Sequence, residues 1–228
     1  MTTRSAMILA AGLGERLAPL TEVTPKPLIE IAGKALIDYH LYALADAGVT
    51  QITVNVAHLG EKIVDHLNDA CPEGIRLAFS HEPQGALETA GGIQHALDLI
   101  ESDPFIVVNA DIWTDFPFAS LPDAIESLAH LVLVANPPHH PEGDFGLQER
   151  VVQTKSSDSL TLTYSGIGLY QKRLFAGCGT GRFPLAPVLN HAAQIGELSG
   201  EIYQGTWMDI GTPQRLAEAR RQARSHRR

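Results

Sequence analysis

LAAGLGERLAPLTEVTPKP, residues 9–27, carries two glycines, an arginine, three prolines and a lysine with almost no hydrophobic period. It directly follows SAMILA, residues 5–10, a short apolar run that reads as a buried strand. Dense loop chemistry at the end of a first strand suits an α/β sheet, where ligands bind at the carboxyl ends of the strands. The rest of the chain must then supply strands and helices in alternation.

It does so through about residue 135. Residues 35–47 place Leu36, His40, Leu41 and Leu44 near one face at helical spacing, with Gly48 as the stop. QITVNVA (51–57) is β-branched and reads as a strand, and GEKIVDHLNDA (60–70) as an amphipathic helix. IRLAFS (75–80) reads as a strand, GGIQHALDLI (91–100) as a helix, PFIVVNAD (104–111) and AHLVLVA (129–135) as apolar strands. The pattern predicts a doubly wound α/β sheet, mostly parallel.

Later segments change character. PPHHPEGDFG (137–146) reads as loop, LTLTYSGIGLY (160–170) as a strand and FPLAPVLNHAAQ (183–194) as a helix. GEIYQGTWMDIG (200–211) reads as one strand, and TPQRLAEARRQAR (212–224) as a closing helix with Thr212 and Pro213 at its start. No Gly/Ser linker or internal repeat divides the chain, so 1–228 reads as a single domain. Its parts are a first half to about 135, a second part over about 136–210, and a closing helix with a basic tail over 211–228. No hexapeptide repeat occurs, so no C-terminal β-helix is expected.

At 44% hydrophobic residues and a mean hydropathy of −0.01, the composition is that of a globular domain. Cys71 and Cys178 form no CxxC or metal spacing and read as reduced thiols of a cytoplasmic protein. No apolar run approaches the ~18 residues of a membrane span, and the N-terminal run is too short for a signal peptide. A net charge of −9 argues against non-specific nucleic-acid binding. The basic cluster ARRQARSHRR (219–228) reads as cations at a helix C-terminus plus a solvated tail. Neither nucleic acid nor a membrane is an expected partner, and the oligomeric state is not written in the sequence.

Three strand ends stand out: LAAGLGER (9–16), VVNAD (107–111) and WMDIG (207–211). In the first, Gly12 and Gly14 let backbone amides approach a phosphate and permit positive φ. The dinucleotide fingerprint GxGxxG fails at Leu17, and the Walker pattern fails because Pro27, not Ser or Thr, follows Lys26. Pro19, Pro25 and Pro27 are expected to hold the loop extended and irregular. Arg16 and Lys26 would then span an anion as wide as a triphosphate, although a structured surface loop with solvated cations would read the same way. Asp111 and Asp209 end the other two segments, and two carboxylates are the minimum protein set for Mg²⁺. Either alone would also serve as a cap or turn residue. His139 and His140 lack partner spacing for zinc and read as solvated. Ser165 lacks the GxSxG elbow. That leaves chemistry resting on positioning and charge neutralisation, such as phosphoryl or nucleotidyl transfer.

The opening loop resembles the signature of sugar-1-phosphate nucleotidyltransferases, usually LAAGxGxRxxPLTxxxPKPL. Gly12, Gly14, Arg16, Pro19, Thr21, Pro25 and Lys26 all match it. VVNAD and WMDIGTP resemble that family's two strand-end metal aspartates, and the similarity runs from about residue 6 to 222. The resemblance implies a Rossmann-like α/β domain, a doubly wound mixed sheet with a small sugar-binding β region. It implies UTP and a sugar 1-phosphate as substrates and Mg²⁺ as cofactor. Arg16 would hold the β/γ-phosphates, Lys26 would contact the phosphates of nucleotide and sugar, and Asp111 and Asp209 would hold the metal. Ala10, Ala11, Gly12 and Gly14 would face the nucleotide, as would Glu82 and Ala86 of HEPQGALETAGG (81–92).

Glu82 stands where thymidylyl and uridylyl relatives often have Gln. A carboxylate can accept from uracil N3–H or guanine N1–H, so the base stays open. Asn109, Gly146 and Gly166 resemble sugar-contacting positions, and Asp144 is a candidate hydroxyl acceptor or turn residue. The interval 147–165 lacks the EEKP-like segment of many hexose relatives. GLGER, LETAGGI, NADIWTD and LTYSGIGLY look most like members that uridylylate a lactyl-bearing amino sugar 1-phosphate. Its carboxylate would need a cation, for which Arg150, Lys155 and Arg182 are candidates. A mannose- or heptose-1-phosphate guanylyltransferase, or a non-catalytic nucleotide-binding regulator on the same fold, are the alternatives.

Overall fold

Every residue of Gln51–Val56 is buried, as is Ser5–Leu9 except at its last position, because helices cover both faces of these strands. The computed structural model describes residues 4–83, 87–155 and 160–225. In chain order the strands are β1 (Ser5–Leu9), β2 (Glu30–Ile31), β3 (Lys34–Ala35), β4 (Gln51–Val56), β5 (Arg76–His81), β6 (Phe105–Asn109) and β7 (Ile112–Thr114). There follow β8 (Ala129–Val134), β9 (Phe145–Gln148), β10 (Val151–Thr154), β11 (Thr161–Tyr170), β12 (Leu198–Ile202) and β13 (Trp207–Asp209). The helices are α1 (Leu20–Val23), α2 (Leu36–Asp46), α3 (Gly60–Ala70), α4 (Glu88–Ala96), α5 (Leu185–Gln194) and α6 (Pro213–Ser225).

The main sheet has the order β5-β4-β1-β6-β11-β8-β12-β10-β9. Its first four strands are parallel. Then β11 enters antiparallel to both β6 and β8, and β12 runs parallel to β8. β10 and β9 complete the edge in antiparallel fashion. The sheet is therefore mixed: wholly parallel from β5 to β6, with β8–β12 the parallel pair of the other half. Two small pairs stand outside it, β2 with β3 and β7 with β13.

Side-chain alternation sorts the core into two layers. Ala6 and Ile8 of β1 pack with Ile37 and Leu41 of α2 and Ile63 and Leu67 of α3. Met7 packs on the other face with Ala90 and Ile93 of α4 and Leu189 of α5. Each fully buried Ile, Leu or Met among them contributes about 1.5–3 kcal/mol. A third cluster joins Leu17, Ile29, Ile31, Leu36, Trp113 and Ile210 to Leu216, Ala219 and Ala223 of α6. It forms a floor under the loop that follows β1. Among the described residues no helix is long and apolar enough to cross a membrane.

Three expectations are corrected. The prolines do not hold residues 9–27 extended: the loop folds into short helical turns at Glu15–Leu17, Leu20–Val23 and Lys26–Leu28. Buried Leu17 and Ile29 anchor those turns on the third cluster. GEIYQGTWMDIG is two strands, not one. The chain leaves β8 after Tyr203, and Asp115 redirects it toward β7 by accepting from Thr206 N–H at 2.8 Å and from the Tyr203 hydroxyl. PPHHPEGDFG is loop only to Asp144, since Phe145 and Gly146 open β9 and pair with β10.

Candidate active site

At β1 the strand order reverses: the chain steps from β1 to β4 and β5 on one side, then to β6 on the other. Such a switch leaves a crevice at the carboxyl ends of the strands. A cleft of about 570 Å³ opens there. Of the residues expected from the sequence, Ala10, Ala11, Gly12, Gly14, Arg16, Lys26, Glu82, Asn109 and Asp111 all line it. Ala86 lies outside the described residues. Asp144, Gly146, Gly166 and Asp209 are not on its wall, although Gly166 and Asp209 reach it through neighbours.

The loop is shaped by one left-handed glycine. Gly14 has φ +68°, and a Cβ there would stand 2.9 Å from Thr21 Cγ2. Its carbonyl accepts from Leu17 N–H at 2.9 Å and from Thr21 Oγ1 at 3.0 Å. Gly12 needs no positive φ. No described residue lies within 4 Å of where its Cβ would be, so the backbone there is open to a ligand.

Behind the loop runs a polar relay that the sequence reading missed. Ala10 N–H donates to Asn55 Oδ1 at 2.7 Å, and Asn55 Nδ2 donates to Glu82 Oε1 at 2.6 Å. Glu82 Oε2 accepts from Leu87 N–H at 2.7 Å. Gly92 makes room, because a Cβ there would overlap Glu82 Oε1. Both Glu82 oxygens thus have protein donors: Asn55 ties the end of β4 to the residue after β1, and Glu82 ties Asn55 to Leu87 before α4. The available signal was Asn55 itself, a polar residue at the carboxyl end of an otherwise apolar strand.

Two carboxylates sit on adjoining backbone. Ile210 N–H donates to Asp111 O at 2.7 Å, and β7 pairs with β13 so that Asp209 stands opposite Ile112. From below, His40 Nε2–H donates to Ile112 O at 2.9 Å. Burial pushes the His40 pKa down to about 4, so the ring is a neutral prop for this strand. Each carboxylate holds a cation. Lys26 Nζ lies 2.5 Å from Asp111 Oδ2, and Arg215 Nη1 lies 2.9 and 3.1 Å from the Asp209 oxygens. His139 Nε2 stands 3.0 Å from Asp209 Oδ1, and His140 Nε2 stands 2.9 Å from Asp144 Oδ1. Neither histidine is merely solvated, because the loop before β9 folds both onto acids. No group of three His, Cys, Asp or Glu able to hold a metal occurs among the described residues. Two carboxylates on hydrogen-bonded neighbouring segments still fit Mg²⁺, which takes one or two from the protein and the rest from phosphate and water.

Behind Asn109, which is on the cleft wall, Gly166 has φ +82°, and a Cβ there would stand 2.7 Å from Asn109 Nδ2. The register shift between Tyr164 and Ile167 of β11 produces this approach. Asp144 is engaged locally: its Oδ2 accepts from Tyr164 N–H at 2.9 Å. Gly146 sits in β9 opposite Gln153 and Thr161. Among the three cations considered for a substrate carboxylate, Arg182 lines the cleft, paired with Glu88 at 3.0 Å. Arg150 lies in the β9–β10 turn, and Lys155 follows β10.

The profile of the nucleotidyl transferase family matches residues 5–159. An N-acetylmuramate alpha-1-phosphate uridylyltransferase of Neisseria meningitidis serogroup B is 48% identical over 94% of this chain and 96% of its own length. Its namesake in Caulobacter vibrioides is 36% identical over 94% and 97%. The structure of a UDP-glucose pyrophosphorylase complexed with UDP-glucose superposes with a TM-score of 0.82, at 19% identity and covering both chains completely.

Proposed function

The chain belongs to the nucleotidyl transferase family and is a sugar-1-phosphate nucleotidyltransferase, and from that premise we propose that it transfers UMP from UTP to N-acetylmuramic acid α-1-phosphate. The products would be UDP-N-acetylmuramic acid and pyrophosphate, and the reaction would serve recycling of cell-wall peptidoglycan in the cytoplasm. The observation that carries the chemistry is the meeting of Lys26 and Asp111 at the cleft, which joins the loop after β1 to the end of β6. What supports the choice of base and sugar is the likeness to the Neisseria meningitidis relative along nearly the whole chain.

In this reading a sugar-phosphate oxygen forms a bond to the α-phosphorus while the α–β bridging oxygen departs with pyrophosphate. The chain's part is to align these groups and neutralise their charge. The open backbone at Ala10–Gly12, held by Asn55 and Glu82, would receive the nucleoside. Arg16 would take the β- and γ-phosphates and the charge that grows on the departing pyrophosphate. Lys26 would bridge the α-phosphate and the incoming phosphate. Asn109, backed by Gly166, would set the sugar in line. Asp111 and Asp209 would hold Mg²⁺, which when bound supplies charge neutralisation at the phosphates.

Pyrophosphate release measured for UTP, GTP and dTTP against muramyl, glucosaminyl, mannosyl and glucosyl 1-phosphates tests the reading. Turnover should be fastest with UTP and N-acetylmuramic acid 1-phosphate. Turnover confined to GTP with mannose 1-phosphate overturns the base and sugar. No turnover in any pairing overturns the enzyme reading in favour of a regulator.

A further inference from the structure

Arg215 is an unexpected residue at its position. It lies in the first turn of α6, where the helix dipole disfavours a cation. Its side chain is only 13% exposed, its Nη1 holds both Asp209 oxygens, and its Nε is buried with no hydrogen-bond partner among the described residues. Leaving that donor unsatisfied is costly. Gly211 shows what lies beside it. A Cβ there would overlap Arg215 Nη2 and stand 3.0 Å from Arg16 Nη2. Two guanidinium groups therefore converge on one glycine, at a cleft whose proposed occupant is a polyphosphate. Like charges this close favour an anion between them.

The pairing repeats that of Lys26 with Asp111. Each carboxylate proposed to bind metal carries a cation drawn from a segment lining or flanking the cleft. A divalent ion on Asp209 would place two positive charges against the Arg215 guanidinium and displace it. The nearest compensating negative charge is then the polyphosphate beside Arg16.

We infer that Arg215 is a positioning residue that occupies Asp209 in the metal-free enzyme and turns to the polyphosphate, next to Arg16, when a divalent ion takes Asp209. Metal binding and the grip on pyrophosphate are thereby coupled through one side chain. The inference rests on reading Asp209 as a metal ligand.

The test is Mn²⁺ titration followed by electron paramagnetic resonance, without nucleotide, on the wild type and four variants. Arg215→Gln removes the competing charge and should bind Mn²⁺ about fivefold tighter, the scale of one partly exposed ion pair. Gly211→Ala, whose methyl group dislodges Arg215, should shift affinity the same way. Arg215→Lys should stay close to wild type. Asp209→Asn should lose affinity. With Mn²⁺ present, calorimetry should show about fivefold weaker pyrophosphate binding to Arg215→Gln. If Asp209→Asn leaves Mn²⁺ binding unchanged, the metal reading of Asp209 falls and takes the inference with it. If Asp209→Asn weakens Mn²⁺ but Arg215→Gln does not tighten it, the inference alone is overturned. A lower melting temperature in every Arg215 variant with unchanged Mn²⁺ affinity would make the residue a structural brace only, which also overturns it.

Discussion

The wall of the cleft proposed to take the nucleotide is held by hydrogen bonds, and the wall at Asn109 by shape. On the first, Ala10, Asn55, Glu82 and Leu87 form one relay of buried polar groups at 2.6–2.7 Å. On the second, Asn109 meets Gly166 because a left-handed glycine and a shifted register bring β11 close. At the cleft Lys26 pairs with Asp111, and on the adjoining segment Arg215 pairs with Asp209. A polar relay fixes atoms whose partners are specified, so it tolerates little substitution. A shape contact admits different substrates when the strands around it change.

Removing the Asp111 charge should have the largest effect. Asp111→Asn should lower turnover by roughly 10²–10³-fold with little change in melting temperature, because Asp111 makes its backbone bond to Ile210 regardless of side chain. Near-normal turnover would detach Asp111 from the chemistry. Cutting the relay should come next. Asn55→Ala leaves Ala10 N–H and the buried Glu82 carboxylate each short of a partner, a loss of about 3 kcal/mol in urea unfolding. The Michaelis constant for the nucleotide should rise more than that for the sugar phosphate, and an equal rise in both would break the division into two walls. Gly166→Ala should have the smallest effect, about 1–2 kcal/mol for its left-handed backbone. Its overlap with Asn109 should raise the Michaelis constant for the sugar phosphate while sparing the nucleotide, and the reverse pattern would assign that wall wrongly.

The two walls also differed in how far they could be read from the chain. β1, β4 and β6 are buried on both faces, so their apolar runs locate them to within a residue or two. Arg16, Lys26 and Asp111 follow from those strand ends plus a contiguous signature. β7 and β13 are three residues each, and their pairing bridges Thr114 to Trp207. No local period signals a strand that short. Asn55 and Arg215 were hidden for a related reason. One sat in a strand and the other in a basic helix, and only the tertiary approach of Glu82 and Asp209 gives either a partner.

The floor under the signature loop has a consequence for how the enzyme is made. Leu17 and Ile29, from the loop after β1, rest on Leu216, Ala219 and Ala223 of α6. On the ribosome the loop emerges before the helix that completes its floor. The parallel strands can assemble during synthesis, but the loop is complete only when α6 docks. A stalled nascent chain should therefore hold a formed sheet with an unfinished loop, and on the proposed reading competence to bind nucleotide arrives only once translation has passed α6.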